Sequence, residues 1–415
     1  MSVVEVETLI IGGGQAGLAM SEHLAKRGVQ HLIVERCRIA ERWRSERWDS
    51  LVANGPAWHD RFPSKHFAGI DPDGFATKAQ IVDYLVAYAK EIAAPIRCGV
   101  EVEALHENPA GPGFRAHTSE GVIESANVVV ATGPFQRPVI PAAVPVDAGI
   151  DQMHSAAYRN PDQLREGAVL IVGAGSSGAQ IADELVRAGR RVYLSVGAHN
   201  RPPRRYRGRD FVWWLGVLGE WDTRALTPGT EHVTIAVSGA AGGHTVDFRQ
   251  LAARGIILLG TAGSYRDGAL AFAPNLAANI ARGDANYLSM LTAADAYVVR
   301  MGLDLPEEPA AHRLDPDPPC VTNPELQLDL AAAGITSIVW ATGYALDFDW
   351  IKLDAFDAKG RPMHERGVAT LPGLYFLGLS WLSRRASAFI FGVWHDAEYL
   401  AGHVAARSRS MTAVQ

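Results

Sequence analysis

Thr8-Leu9-Ile10-Ile11-Gly12-Gly13-Gly14-Gln15-Ala16-Gly17 is the stretch from which the rest of the chain is read. An apolar run with the character of a strand breaks into glycines, and Leu18 to Leu24 continue with helical spacing. The next apolar run, His31 to Val34, ends on Glu35. Strand, glycine turn, helix, strand and acid in that order form a dinucleotide-binding fingerprint in its required context. Gly12 permits the tight turn, Gly14 lets a pyrophosphate approach the backbone, and Gly17 lets helix pack on strand. Gln15 and Ala16 open the helix, whose free N–H groups and positive dipole end attract an anion. Glu35 is placed to accept both hydroxyls of a ribose. Arg36 beside it and Trp43 in the following loop complete the candidate set.

The same unit recurs. Val169-Leu170-Ile171-Val172 leads into Gly173-Ala174-Gly175-Ser176-Ser177-Gly178, a helical stretch from Ala179 to Ala188, and a strand from Val192 to Val196. This second strand ends on Ser195 with no acid after it. A missing carboxylate removes repulsion of a 2′-phosphate, and His199, Arg201 or Arg204 would pair with one, which favours NADPH and leaves NADH open. Two further strand-to-glycine steps, Ala131-Thr132-Gly133 and Ala341-Thr342-Gly343-Tyr344, echo each other, and Gly378 ends a third after Leu374 to Leu377.

These repeats predict an α/β protein with two Rossmann-like dinucleotide-binding domains, the second inserted in the first. Residues 1–155 and 321–415 are assigned to a discontinuous first domain and 156–320 to the second. Between the motifs, 96–130 is expected to hold a small antiparallel sheet and Pro138 to Pro145 an extended linker. Asn275 to Arg300 is expected to be a helix interrupted near Gly283, and Ser387 to Ala406 a C-terminal helix whose start could face a flavin.

Bulk properties narrow the function. A net charge of -6 gives no reason to expect nucleic acid, and the arginines at 201–209 are too local to change that. No apolar run reaches membrane-spanning length. The chain enters a strand almost at once, so a cytoplasmic protein without a signal peptide is expected. Cys37, Cys98 and Cys320 lie far apart without redox or metal spacing, so buried or incidental thiols and no metal site are expected.

The chain resembles the two-dinucleotide-domain flavoproteins and, within them, the class B flavoprotein monooxygenases: flavin-containing monooxygenases, YUCCA-type enzymes and smaller bacterial relatives. The resemblance rests on both glycine motifs with Glu35, on Asn54-Gly55-Pro56, on the two Ala-Thr-Gly steps, and on His154-Ser155 with Tyr158-Arg159. Gly378-Leu379-Ser380-Trp381-Leu382 adds to it. It implies FAD on the first site, NADPH on the second, and a C4a-hydroperoxyflavin that oxygenates a small organic substrate with O₂. Asn54 and Tyr344 fall at the positions it makes catalytic, and a side-chain amide can both donate and accept there. The chain departs from the family signature at Ala148 and Ile150, where Phe and Gly are usual, and Tyr158 replaces the Trp-Pro of Baeyer–Villiger enzymes. A flavoprotein reductase and a peroxide-producing oxidase are the nearest alternatives. A homodimer is compatible with the sequence.

Overall fold

The computed structural model describes residues 3–224 and 234–412. Strand β1 (Val3–Ile11) turns through the glycines into helix α1 (Gln15–Ala25), followed by β2 (His31–Glu35) and the short α2 (Glu41–Ser45). Helix α3 (Lys78–Glu91) precedes β3 (Ile96–Cys98), β4 (Val102–Glu107), β5 (Phe114–Thr118) and β6 (Gly121–Val130). Next come β7 (Arg137–Pro138), β8 (Asp151–His154), β9 (Ala168–Val172), α4 (Ser176–Arg187) and β10 (Val192–Ser195). Helix α5 (Phe211–Val217), β11 (Ile257–Leu259) and α6 (Leu276–Met301) lead to β12 (Ile335–Trp340) and β13 (Tyr344–Ala345). Strand β14 (Leu374–Phe376) and helix α7 (Ile390–Thr412) finish the chain.

Two parallel sheets form the frame. The first runs β14-β6-β1-β2-β3, with short antiparallel strands at 364–365 and 368–369 beyond β14 and the β4–β5 hairpin attached to β6. The second runs β11-β10-β9-β12-β8. Helices cover both faces of such sheets, so their strands read as unbroken apolar runs rather than alternating ones. Leu9, Ile10, Val128, Val129 and Phe376 in the first sheet and Val169, Leu170, Ile171 and Leu194 in the second are fully buried. The glycines sit where β1 and β9 leave their sheets, which is the edge where ligands bind in open α/β folds.

Several details differ from the sequence reading. Asp151–His154 and Ile335–Trp340 pair into the second sheet, although the expected boundaries at 155 and 321 put them in the first domain. Val122–Val130 belongs to the first parallel sheet as well as to the antiparallel ribbon, because one edge of β6 pairs with β1 and the other with β5 or β14 along its length. The proline segment is not simply a linker. Its Arg137–Pro138 pairs antiparallel with Tyr344–Ala345, so both connections between the sheets run side by side. Helix α6 continues unbroken through Gly283, where a Cβ would lie 2.5 Å from His199 Nε2. That glycine is there for close packing, not to end the helix. Cys37 and Cys98 are exposed and Cys320 half-buried, all three free, so only the incidental reading of the thiols holds.

The first half is tied together across its helices by one carboxylate. Glu22 on α1 accepts from the Tyr88 hydroxyl of α3, from Trp394 Nε1 of α7 at 2.7 Å and from Lys26 at 2.7 Å. His23 beside it packs edge-on against Trp394 at 4.2 Å, and burial pushes its pKa down to about 4. Among the described residues no helix is long and apolar enough to cross a membrane, and no cluster of side chains suits a metal ion.

Candidate functional site

Both glycine turns open into one continuous cavity of about 1970 Å³. The first turn is built as its residue types require. Gly12 has φ +117°, and a Cβ there would lie 2.6 Å from the Ala131 carbonyl oxygen, so β1 and the step after β6 can touch. A Cβ on Gly17 would collide with the Gly12 carbonyl, which gives that glycine its packing role; it does not line the cavity. A Cβ on Gly14 would meet nothing within 4 Å. That open face, beside an α1 start with no side-chain cap, is space shaped for an anionic group. Glu35 closes the turn: Oε2 accepts from Gly13 N at 2.7 Å and Oε1 from Cys37 N at 2.9 Å. Its remaining lone pairs are free to accept ribose hydroxyls. Gln15, Ala16, Arg36 and Trp43 also line the cavity, Trp43 from the short helix α2 rather than from the expected loop, and Gln15 Nε2 donates to Ala388 O at 2.8 Å.

The second turn repeats the backbone. Gly173 has φ +111°, and a Cβ on Gly178 would collide with the Gly173 carbonyl. Helix α4 also starts without a side-chain cap, whereas α3 has a full capping box and α5 an Asp210 cap. Gly173, Gly175, Ser176, Ser177 and Gly178 all line the cavity. Residues that fit two dinucleotides are therefore present in both turns.

The strand end after the second turn corrects the sequence reading. Ser195 is buried, its Oγ donating to Gly260 O at 2.8 Å and accepting from Ala262 N at 3.0 Å, so it braces the sheet. His199 is buried against Phe248, with Nδ1 2.9 Å from Gly197 O and its pKa pushed down by burial. Arg201 is buried as well. It donates to Asp284 at 2.7 Å, lies 3.2 Å from Asp247 and stacks over Tyr287. Burial alone would raise the Asp284 pKa, but the hydrogen bonds from Arg249 and Arg201 outweigh it and hold the carboxyl below the usual aspartate range. Arg204 is held in the same way by Asp210. None of these four residues lines the cavity, whereas Gly197 and Ala198 do.

Where the two halves meet, the remaining expected residues converge. Thr132 and Gly133 receive the Gln136 side-chain amide at 3.0 and 2.8 Å, and Thr342 Oγ1 donates to Val139 O at 2.5 Å. Gly343 O lies 2.9 Å from His154 Nε2, and the Tyr344 ring packs edge-on to His154 and Phe135. Ala131, Tyr344 and Gly378 line the cavity. A Cβ on Gly378 would lie 2.7 Å from Ala16 Cβ, so that glycine lets the last strand approach α1. Helix α7 begins at Ile390 rather than at the expected Ser387, because Arg385–Ala388 forms a 3₁₀ turn, and its first residue lines the cavity.

Asn54 lies at this junction. Its Oδ1 accepts from Gln180 Nε2 of α4 at 2.9 Å, and its main-chain oxygen accepts from Arg204 Nη1 at 2.6 Å. The turn after it is fixed by Asp60, which accepts from Gly55 N at 2.9 Å and pairs with His59 Nδ1 at 2.8 Å. A Cβ on Gly55 would collide with the Asp60 carboxylate, which accounts for the glycine in Asn54-Gly55-Pro56. His59 stacks on Trp221 and packs against Phe391. His59 and Trp221, with Phe389 and Leu215, make one wall of the cavity aromatic and apolar, and Phe391 packs behind His59 and Trp221. Arg385, bonded to Glu220 at 3.1 Å, and Arg384, bonded to Asp222 at 2.5 Å, strap that wall shut. Sequence reasoning missed Gln180, His59, Trp221 and Arg385. Only Gln180 left a signal, since it is one helical turn beyond Ser176 on the nucleotide helix.

A family model described as pyridine nucleotide-disulphide oxidoreductase matches residues 9–209. The chain is 35% identical over 402 residues to an uncharacterized oxidoreductase, CzcO-like, of Geobacillus kaustophilus, covering 95% of this chain and 97% of that one. It is 31% identical over 215 residues to the indole-3-pyruvate monooxygenase YUCCA4 of Oryza sativa, covering 47% and 48% of the two chains. Among solved structures, a flavin-containing monooxygenase from Stenotrophomonas maltophilia superposes with a TM-score of 0.66 at 20% identity, over 98% of this chain and 99% of that one. The bacillithiol disulfide reductase of Bacillus cereus superposes with a TM-score of 0.62 at 15% identity, over 97% and 99%. At these identities the two structures speak for the fold.

Proposed function

The chain belongs to the class B flavoprotein monooxygenase family, among its CzcO-like oxidoreductases, and from that premise we propose that it uses FAD, NADPH or NADH, and O₂ to oxygenate a small organic substrate. The target atom is a sulfur, a nitrogen or a carbonyl carbon. The observation that carries the reading is the position of Asn54, between two glycine cradles in one cavity, with its side-chain oxygen already engaged by Gln180.

When bound, FAD supplies the oxygen activation and the pyridine nucleotide supplies the hydride. The chain supplies position and dryness. Glu35 holds the first ribose, the uncapped start of α1 holds the first pyrophosphate, and the uncapped start of α4 holds the second. With Oδ1 occupied, Asn54 presents its Nδ2 as a donor towards the cavity, where negative charge on oxygen is stabilised by a fixed N–H. The wall of Trp221, Phe389 and Leu215 keeps water from that point and offers an apolar surface to the substrate. Tyr344 acts from the crossover by packing against His154, so its part is to set the junction. The two-domain division and the insertion of the second domain in the first belong to the same reading, with β8 and β12 counted in the second.

Anaerobic reduction of the flavin-loaded protein by NADPH, and separately by NADH, followed by rapid mixing with O₂ tests this. A transient absorbance distinct from both reduced and oxidised flavin, decaying faster with a sulfide, amine or ketone present, is expected. Direct return to oxidised flavin with one peroxide per reductant under every substrate would replace the reading with an oxidase.

A further inference from the structure

We propose that Gln180 is a positioning residue through which the second nucleotide domain sets the direction of the Asn54 amide in the first. The inference rests on the monooxygenase reading for what Asn54 does, and on the following geometry for how it is held.

An amide side chain can present either its oxygen or its nitrogen, and the two orientations differ only in their hydrogen-bond partners. Gln180 Nε2 donates to Asn54 Oδ1 at 2.9 Å and to Val237 O at 2.6 Å. Both hydrogens of that nitrogen are thus engaged, which fixes the Gln180 amide as the donor in the pair. Asn54 must answer with its oxygen, and its Nδ2, which has no hydrogen-bond partner among the described residues, is left for the cavity. Arg204 grips the Asn54 main-chain oxygen at 2.6 Å, so the residue is held at two points by the other domain.

The connection runs back to the second glycine turn. Ser176 and Gln180 are four apart on α4 and share a face. Ser176 Oγ donates to Ile235 O at 2.9 Å and accepts from Val237 N at 3.3 Å, while Gln180 bonds Val237 O. One helix turn and one strip of main chain therefore link the start of α4, which would hold the pyridine nucleotide's phosphates, to the Asn54 amide, which would meet its nicotinamide. At the equivalent place on α1 the residue is Ala19, fully buried, so this arm exists only in the second unit.

A double-mutant cycle on the oxidised, FAD-loaded protein separates positioning from packing. The dissociation constant of NADP⁺, read from the flavin difference spectrum, is measured for wild type, Asn54→Ala, Gln180→Leu and the double variant. Each single change is expected to weaken binding roughly tenfold, and the double variant to be no weaker than Asn54→Ala alone. Gln180→Glu keeps the size but cannot donate to Asn54 Oδ1. It turns the Asn54 nitrogen inward and is expected to match Asn54→Ala in binding and to raise the share of reductant lost as peroxide. Additive effects in the cycle, or a Gln180→Glu protein indistinguishable from wild type, would overturn the proposal. Bound flavin per chain reports whether each variant is folded; if Gln180→Leu is not, the Gln180→Glu comparison decides alone. Should wild type itself release all its oxygen as peroxide, the monooxygenase reading fails, while the coupling between 54 and 180 in NADP⁺ binding is still measured.

Discussion

The two glycine turns have the same backbone and opposite surroundings. In both, a carbonyl lies where a Cβ on the last glycine would go, and in both the following helix starts without a side-chain cap; a Cβ on Gly14 would meet open space, whereas one on Gly175 would lie 3.4 Å from Thr234 Cγ2. At the end of the next strand they part. Glu35 turns back to its own loop and bonds Gly13 and Cys37, whereas Ser195 turns into the sheet and His199 and Arg201 sink against α6. The cradle for a phosphate is local, fixed by residues a few places apart. The part that distinguishes one ribose from another depends on what the rest of the chain brings to the strand end.

The largest effects should come from testing the shared part. Gly17→Ala forces a methyl group into the Gly12 carbonyl and is expected to cost about 3 kcal/mol, at the top of the overpacking range. Gly14→Ala meets open space, so the protein should fold and melt as before without flavin while binding FAD at least ~10-fold more weakly. Thermal unfolding of the flavin-free variants beside FAD titration checks both. Equal melting losses would mean that the two glycines do not divide the work.

A smaller effect tests the part that differs. Arg201→Ala leaves Asp247 and Asp284 short of a cation and is expected to cost about 2 kcal/mol in denaturant unfolding, since Arg249 still holds Asp284. The ratio of NADPH to NADH dissociation constants should stay within about twofold of wild type. A loss of NADPH preference of tenfold or more would place Arg201 at the 2′-phosphate after all.

The mildest test uses pH. His23 on α1 has a folded pKa of about 4 against an ordinary 6.5, so the fold favours its neutral form. Its stabilisation is complete above 6.5 and is lost as pH falls towards 4, reaching about 2 kcal/mol at pH 5. Asp284 in the second half is held below its ordinary 3.8, so its contribution persists down to that range and is lost only below it. Between pH 6.5 and 4 acid should therefore act through the buried histidines, His23 in the first half and His199 in the second, and at His23 this is read as lower amide protection factors in α1 and α7 at pH 5 than at pH 7. His23→Leu should reduce the dependence between pH 6.5 and 4 and restore protection in α1 and α7.

What the sequence made legible follows the same division. Gly12, Gly14, Gly17, Glu35, Gly173, Gly175 and Gly178 stand where their spacing put them, because each answers to neighbours within one strand-turn-helix unit. The Ala-Thr-Gly steps were readable for the same reason. His199 and Arg201 were not, because their partners, Gly283 and Asp284, come more than eighty residues later on a helix whose approach no local pattern announces. Gly283 itself was read as a break for want of knowing what it accommodates. Gln180 left only its place one helical turn beyond Ser176, and that place gains a meaning when Asn54, 126 residues away, is laid against it.

The antiparallel pairing of β7 with β13 has a mechanical meaning. Two strands laid side by side and stitched by hydrogen bonds form a ribbon, and a ribbon bends readily across its flat face while resisting shear within its plane. The two sheets are therefore joined through two chain connections clasped to each other at Arg137–Pro138 and Tyr344–Ala345, so that neither connection can shift without the other.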